Sequence, residues 1–327
     1  MTKRAILAAQ YRPNWSSFVG ALEGVLEALG DEADTDWLMG VTGHAFRGAA
    51  STGPEGFIRP ETWLVANHAA SLALYRNAGR ELEYIESSSA ESDFAAVKAE
   101  AVKRIHKAID RGIPVIGGRL HVPEFGIIRG YNEQSKAFYV STISQEQTGE
   151  TMPIATWPVS PERHMQIFIP GKRRKVSPAE ALLDALRFAC DYAERGEGPE
   201  FERESETSHG FQAIDMWARA LADGTKLSGR PHAHNAQVVL SARQYAVRFL
   251  RRGAELAPAS DRLLGAAEAY LKAMLEWTRF CTLFPYPGGG DIQGQAAYNE
   301  GAGYLRRALV HERVAIEQLR EALVHWS

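Results

Sequence analysis

Cysteine is scarce in this chain: two residues in 327, Cys190 and Cys281, both inside stretches with helical patterning. A disulfide framework is thereby excluded as the organising principle, and a reducing compartment is the simpler setting. Long apolar runs are missing as well. No stretch approaches the roughly 18 consecutive apolar residues of a membrane span. The opening MTKRAILAAQYRPNW has too short an apolar core for a secretory signal. The expectation is a cytoplasmic protein with no membrane partner. Charge of one sign is also lacking: 37 Lys and Arg stand against 40 Asp and Glu, a net charge of −3. Nucleic acid is therefore not expected as a partner. The one basic run, GKRRK (171–175), has no interleaved aromatics and reads as a solvated linker.

Motifs for metals and nucleotides are absent too. His209, His232, His234 and His311 invite a metal reading, but HAHN (232–235) has an i, i+2 spacing that splits its rings between helix faces. No HExxH pair occurs, and PYPGGGD (285–291) lacks the lysine and the strand-to-helix setting of a phosphate loop. Neither a metal nor a cofactor is expected. No repeat of fixed period and no low-complexity tract is present.

What the chain does contain is enough apolar sequence for two cores. At 327 residues, 45% of them apolar and 24% charged, two globular domains are the prior. Composition changes near IPGKRRKVSPAE and suggests domains at 1–172 and 173–327. In the first, Ser17–Leu29 places Phe18, Ala21, Leu22, Val25, Leu26 and Leu29 on one helical stripe, with Gly30 as the stop. Residues 62–79 and 93–110 read as further helices. Residues 81–86, 113–118, 124–130, 136–143 and 164–170 read as strands. Helices followed by a mainly antiparallel sheet make an α+β domain.

The second domain reads as an antiparallel helical bundle. Ser177-Pro178-Ala179-Glu180 combines an N-cap, Pro at the first helical position and Glu three residues on. Further helices are expected at 209–223, 233–256, 260–283 and 294–325. Trp217, Trp277, Phe249 and Tyr245 fall at helical spacings and read as bundle core. Asn235 and Arg243 read either as a polar network lining a cleft or, for Asn235, as a helix cap.

Three motifs in the first domain carry a resemblance. SFVGALEGVLEALG spaces Ser17 thirteen residues before Gly30, MGVTGHAFR (39–47) is a Gly-rich segment, and PEFGIIRGY separates Glu124 from Gly130-Tyr131 by five intervening residues. In this the chain resembles papain-like enzymes: the bacteriocin-processing peptidases and, more closely, the N-terminal domain family of butirosin biosynthesis protein H, an acyltransferase acting on a carrier-bound acyl group. The resemblance covers residues 11–47 and 113–143. The helical half resembles, more loosely, helical domains that follow such N-terminal domains. It implies a papain-like fold whose nucleophilic cysteine would stand at Ser17, histidine at Glu124, orienting Asp or Asn near Ser141, and oxyanion-stabilising glutamine at Tyr11 or the adjacent Gln10. The sequence departs from the family at each of these points, and no cysteine occurs before residue 190.

Chemistry decides what such departures allow. A serine hydroxyl is a far weaker acid than a thiol and needs a strong base. A carboxylate with a pKa near 4.3 is a poor one unless burial raises it. The expectation is therefore a divergent, non-proteolytic protein that binds a small-molecule or peptide-like ligand at a site containing Ser17, Glu124, His44 and Arg47, with Gln10, Tyr11 and Ser141 beside them. Two alternatives stay open: an acyltransferase or amidase with Ser17 as nucleophile and His44 or Glu124 as base, and a structural partner in a biosynthetic assembly. Outside the resemblance, Ser16 or Ser17 is an ordinary helix cap, Glu124 an edge-strand charge, His44 a local cap or packing residue, and His121 an exposed side chain. A homodimer stays open as the assembly state.

Overall fold

The computed structural model describes residues 3–52, 58–60, 67–160, 163–196, 207–224, 229–289 and 294–326. The acidic stretch after Gly196, the first residues of the helix expected at 62–79 and the last two residues of PYPGGGD fall outside this set. In chain order the first elements are β1 (Arg4–Ile6), α1 (Ser17–Ala28), α2 (Thr35–Val41), β2 (Ala49–Thr52), β3 (Ile58–Pro60), α3 (His68–Tyr75) and β4 (Arg80–Ser87). Next come α4 (Phe94–Asp110), β5 (Val115–Gly118), β6 (Phe125–Asn132), β7 (Ala137–Ser141), α5 (Gln145–Thr148), β8 (Thr151–Pro153) and β9 (Met165–Arg173). The chain ends with α6 (Pro178–Arg195), β10 (Thr207–His209), α7 (Gly210–Ala222), α8 (Gly229–Gly253), α9 (Ser260–Leu283) and α10 (Gln295–Val324).

Packing groups these into two units: Met1–Leu38 with Ala78–Lys175, and Met39–Asn77 with Val176–Ser327. The change of composition near residue 172 separates the second strand-rich stretch from the helices, but it assigns 39–77 differently. The physical reason lies in apolar contacts. The ring of Phe46 packs edge-on to Phe249 and tilted on Tyr270, and a Cβ on Gly40 would fall 2.1 Å from the Phe249 ring.

The first unit holds a seven-stranded antiparallel sheet in the order β4-β9-β5-β6-β7-β8, with β1 added beside β6. β6 shares one edge between two partners. Phe125–Ile128 pair with β5, and Gly130–Asn132 pair with β1, on either side of an irregularity at Arg129. Side chains alternate faces along a strand. Ile128 and Ile167 therefore join the core under α4, with Phe94, Ala101, Ile105 and Ile109 as the apolar stripe of that helix. Phe125 and Phe168 point the other way and meet Phe18 of α1, with ring centroids 5.6 and 4.9 Å from it. Burying each such side chain stabilises the fold by about 1.5–3 kcal/mol, so the stripes of α1 and α4 clamp the sheet from opposite sides.

α1 lies close to the chain that precedes it because of two glycines. A Cβ on Gly20 would come within 2.2 Å of the Arg12 carbonyl oxygen, and one on Gly24 within 1.9 Å of the Gln10 carbonyl oxygen. Only hydrogen at these positions lets residues 10–12 run along the helix.

The second unit is helical, with a small sheet in the order β10-β2-β3. α9 and α10 are antiparallel: Glu276 binds Arg307 near the end of the first helix, and Arg262 binds Glu321 near its start. Trp217, Trp277, Phe280, Phe284 and His232 form an aromatic core with centroid separations of 5.0 to 5.7 Å. Tyr245, expected in that core, is half-buried. Ser177 is the N-cap of α6 and Pro178 its first residue, but the Ser177 side chain makes no capping bond.

Candidate functional site

The first unit brings five of the anticipated residues to the end of the sheet where α1 begins. The turn between β5 and β6 does the positioning. Arg119 adopts a left-handed backbone (φ 53°), its N–H donates to the Glu124 carbonyl at 2.8 Å, and the Glu124 N–H donates to Val122 at 2.7 Å. This tight closure leaves Glu124 one residue ahead of β6. Ser17 is the first residue of α1, 2% exposed, and its Oγ accepts the Phe125 N–H at 3.1 Å. The same hydroxyl hydrogen-bonds the Glu124 carboxyl. Oxygen Oε2 of that carboxyl is shielded from solvent, and desolvation lifts its pKa from 4.5 to about 7, against the lowering effect of Ser17. The residue is therefore not an exposed edge charge.

A second hydrogen-bonded set lies in the same unit. Ser141, at the end of β7, accepts the Tyr11 N–H at 3.0 Å and donates to Gln10 Oε1 at 3.3 Å. The Tyr11 hydroxyl donates to the Asn14 carbonyl at 3.3 Å. Burial and the charge of Glu124 hold the Tyr11 phenol well above its ordinary pKa, so it stays a neutral donor. His121 is half-buried with Nε2 shielded and without a hydrogen-bond partner, contrary to the exposed position expected.

His44 and Arg47 belong to the second unit and find hydrogen-bond partners there. His44 Nδ1 meets Thr42 Oγ1 at 2.9 Å, and its ring stacks on Tyr75. Desolvation, with the nearby Arg47 and His68, pushes its pKa well below the usual imidazole value, so the ring is neutral. Arg47, 1% exposed, donates to Ser71 Oγ at 2.6 Å and to Tyr75 OH at 3.3 Å, with its guanidinium 4.8 Å from the Phe188 ring centre. The sequence reading missed Ser71, Tyr75, His68 and Tyr192 in this cluster. The available signal was Ser71 and Tyr75 one helical turn apart. Asn235 and Arg243 neither cap a helix nor line an open groove. Asn235 Nδ2 donates to the Ala49 carbonyl at 2.9 Å. Arg243 binds both oxygens of Glu312 at 2.8 Å and the Arg47 carbonyl at 2.8 Å.

The four histidines of the metal reading do not gather. His232 accepts the Trp217 indole N–H at 2.9 Å inside the aromatic core. No group of three or more metal-ligating side chains occurs among the described residues. No described helix is long and apolar enough to cross a membrane. Cys190 and Cys281 are free and buried, and burial pushes both thiols up to about 12.

The Ser17–Glu124 arrangement has two chemical capacities. A carboxyl at about 7 donates a proton when neutral and accepts one when ionised, both near neutral pH. A buried serine hydroxyl with one donor and one acceptor contact is held in a single orientation. Compared with known proteins, the chain matches no family model and no curated protein.

Proposed function

We propose that the chain is a divergent, non-proteolytic papain-like protein whose first unit binds a small-molecule or peptide-like ligand beside the start of α1. The observation that carries this reading is the state of Ser17. Its Oγ accepts from Phe125 N–H while the residue is 2% exposed. A hydroxyl so engaged ties α1 to β6 and is poorly placed to attack an acyl carbon. Gln10, Tyr11 and Ser141 supply further polar groups on the same unit. We read the protein as cytoplasmic. Its net charge of −3 supports a ligand other than nucleic acid.

The Ser17–Glu124 bond also supports a second reading, acyl transfer or amide hydrolysis. Glu124 takes the hydroxyl proton as Ser17 Oγ bonds the acyl carbon, then returns it to the departing thiolate or amine. A carboxylate raised to about 7 is a better base than an ordinary one, which is the merit of this alternative.

Intact-mass analysis after incubation with p-nitrophenyl butyrate separates the two. The ligand-binding reading expects no butyryl adduct that depends on Ser17. It also expects N-acetyl-alanylalanine to bind non-covalently, one per chain, and more weakly to Ser141→Ala. A butyryl adduct present in the wild type and absent from Ser17→Ala overturns it in favour of acyl transfer.

A further inference from the structure

The residues just before α1 hold two polar atoms that the fold leaves unused. Ser16 is the N-cap of the helix, with an extended backbone (φ −92°, ψ 96°), yet its hydroxyl makes no capping bond. Ser16 is 6% exposed, and its Oγ is buried without a hydrogen-bond partner. Asn14 Nδ2 is also shielded and without a partner. The other end of that amide is committed, because Asn14 Oδ1 accepts the Ser16 N–H at 2.8 Å. That contact identifies the unused atom as the NH2 donor.

Buried donors without acceptors are unusual in native folds and call for an explanation. Leaving them dry is unfavourable, whereas a charged acceptor forms shorter and stronger hydrogen bonds than a neutral one. Both atoms stand at the N-terminal end of a 12-residue helix, where the first-turn N–H groups amount to about half a positive charge. The neighbouring guanidinium of Arg12 is exposed and bound to Glu27, so it adds no second positive charge here. A set of neutral donors with a fractional positive field suits a monoanion bearing two coplanar oxygens. A doubly charged phosphate would lack its counter-charge. Such a monoanion is a carboxylate.

We propose that the N-terminal end of α1 anchors a ligand carboxylate through Asn14 Nδ2 and Ser16 Oγ. This rests on the ligand-binding reading of the first unit and narrows its ligand to carboxylic acids, of which a peptide C-terminus is one. Both donors are shielded, so admission of the carboxylate requires the irregular stretch Arg12–Trp15 to move outward, at the cost of the Arg12 N–H bond to the Gly20 carbonyl.

The test uses the full chain and three probes at constant ionic strength: 13C-labelled butyrate, its neutral isostere butyramide, and inorganic phosphate. Binding is followed by ligand line broadening and by competition against labelled butyrate. Butyrate is expected to bind at least about tenfold more tightly than butyramide, the order of one charge-assisted hydrogen bond, and to outcompete phosphate. Ser16→Ala removes a hydroxyl that bonds nothing in the fold, so its thermal midpoint stays at or above that of the wild type while butyrate affinity falls. Asn14→Asp keeps the acceptor for Ser16 N–H but sets a negative oxygen against the ligand, and butyrate binding is lost. Equal affinity for butyrate and butyramide, phosphate binding as tightly as butyrate, or wild-type affinity in both variants would each overturn the anchor. Failure of the underlying reading is distinguishable. A Ser17-dependent butyryl adduct removes the non-catalytic function, but it does not touch a Ser16-dependent preference for butyrate over butyramide.

Discussion

Glu124→Gln offers a direct measure of what burial does to this site. The glutamine has the shape of the carboxyl and retains a carbonyl acceptor for Ser17, but it never ionises. In the folded chain the Glu124 carboxyl is raised from 4.5 to about 7, so the native state holds its proton more tightly than the unfolded state. The stabilising contribution is complete below pH 4.5 and disappears as pH climbs through 7. Each tenfold change in acidity corresponds to about 1.4 kcal/mol, which sets the full loss at up to ~3 kcal/mol. Between pH 5 and pH 8 the loss is about 2–3 kcal/mol on the same relation. Every other group titrates in both proteins, so the difference between wild type and variant isolates this one. Urea unfolding at the two pH values is the assay. The variant should gain on the wild type by about 2–3 kcal/mol on going from pH 5 to pH 8, with unchanged denaturant dependence. A difference of the same size at both pH values would refute the reasoning, because it would mean that Glu124 ionises in a water-like setting.

His232 supplies the opposite sign. Desolvation lowers its pKa from 6.5 to about 3, so the stability it permits is present above pH 6.5 and is lost as pH falls. The wild type should lose about 2 kcal/mol more than His232→Phe between pH 7 and pH 5, and parallel pH profiles would show the imidazole to be hydrated. In the second unit, Arg243→Met alone leaves Glu312 charged at 3% exposure beside Trp277 and should cost about 3–5 kcal/mol. Adding Glu312→Leu should recover much of that in chemical denaturation, and an additive double variant would contradict a paired role. Gly24→Ala drives a Cβ to 1.9 Å from the Gln10 carbonyl oxygen and should destabilise by at least about 2 kcal/mol. Gly288→Ala, with nothing within 4 Å of its Cβ, is the control, and equal midpoints for the two variants would disprove the close approach.

Local sequence determined a good part of this protein. The 3.6-residue stripe of Phe18, Leu22, Val25 and Leu26 produced α1, and the same periodicity produced α4 and α7–α10, because burying one face is how an amphipathic helix becomes stable. β-rich runs between turn residues produced β4, β5, β6, β7 and β9 within a residue or three. The short strands β1, β2, β3, β8 and β10 were illegible. Three or four residues carry no usable period, and β1 exists only because β6 offers an open edge beyond its pairing with β5.

The candidate site divides along the same line. Ser17 and Glu124 are 107 residues apart in the chain, and their hydrogen bond depends on the turn at Arg119 and the docking of α1 on the sheet. Burial, which a sequence does not carry residue by residue, then turned an ordinary glutamate into a group that titrates near pH 7. It also left Ser16, which reads as an ordinary helix cap, and Asn14 with side-chain donors that bond nothing. His44 and Arg47 stood near Ser17 in sequence but joined the second unit, because Gly40 and Phe46 pack against Phe249. The sequence by itself determined which segments are helix or strand and where polar chemistry was available. Only the tertiary structure decided which of those groups meet and which lose their water, because both depend on contacts between residues far apart in the chain.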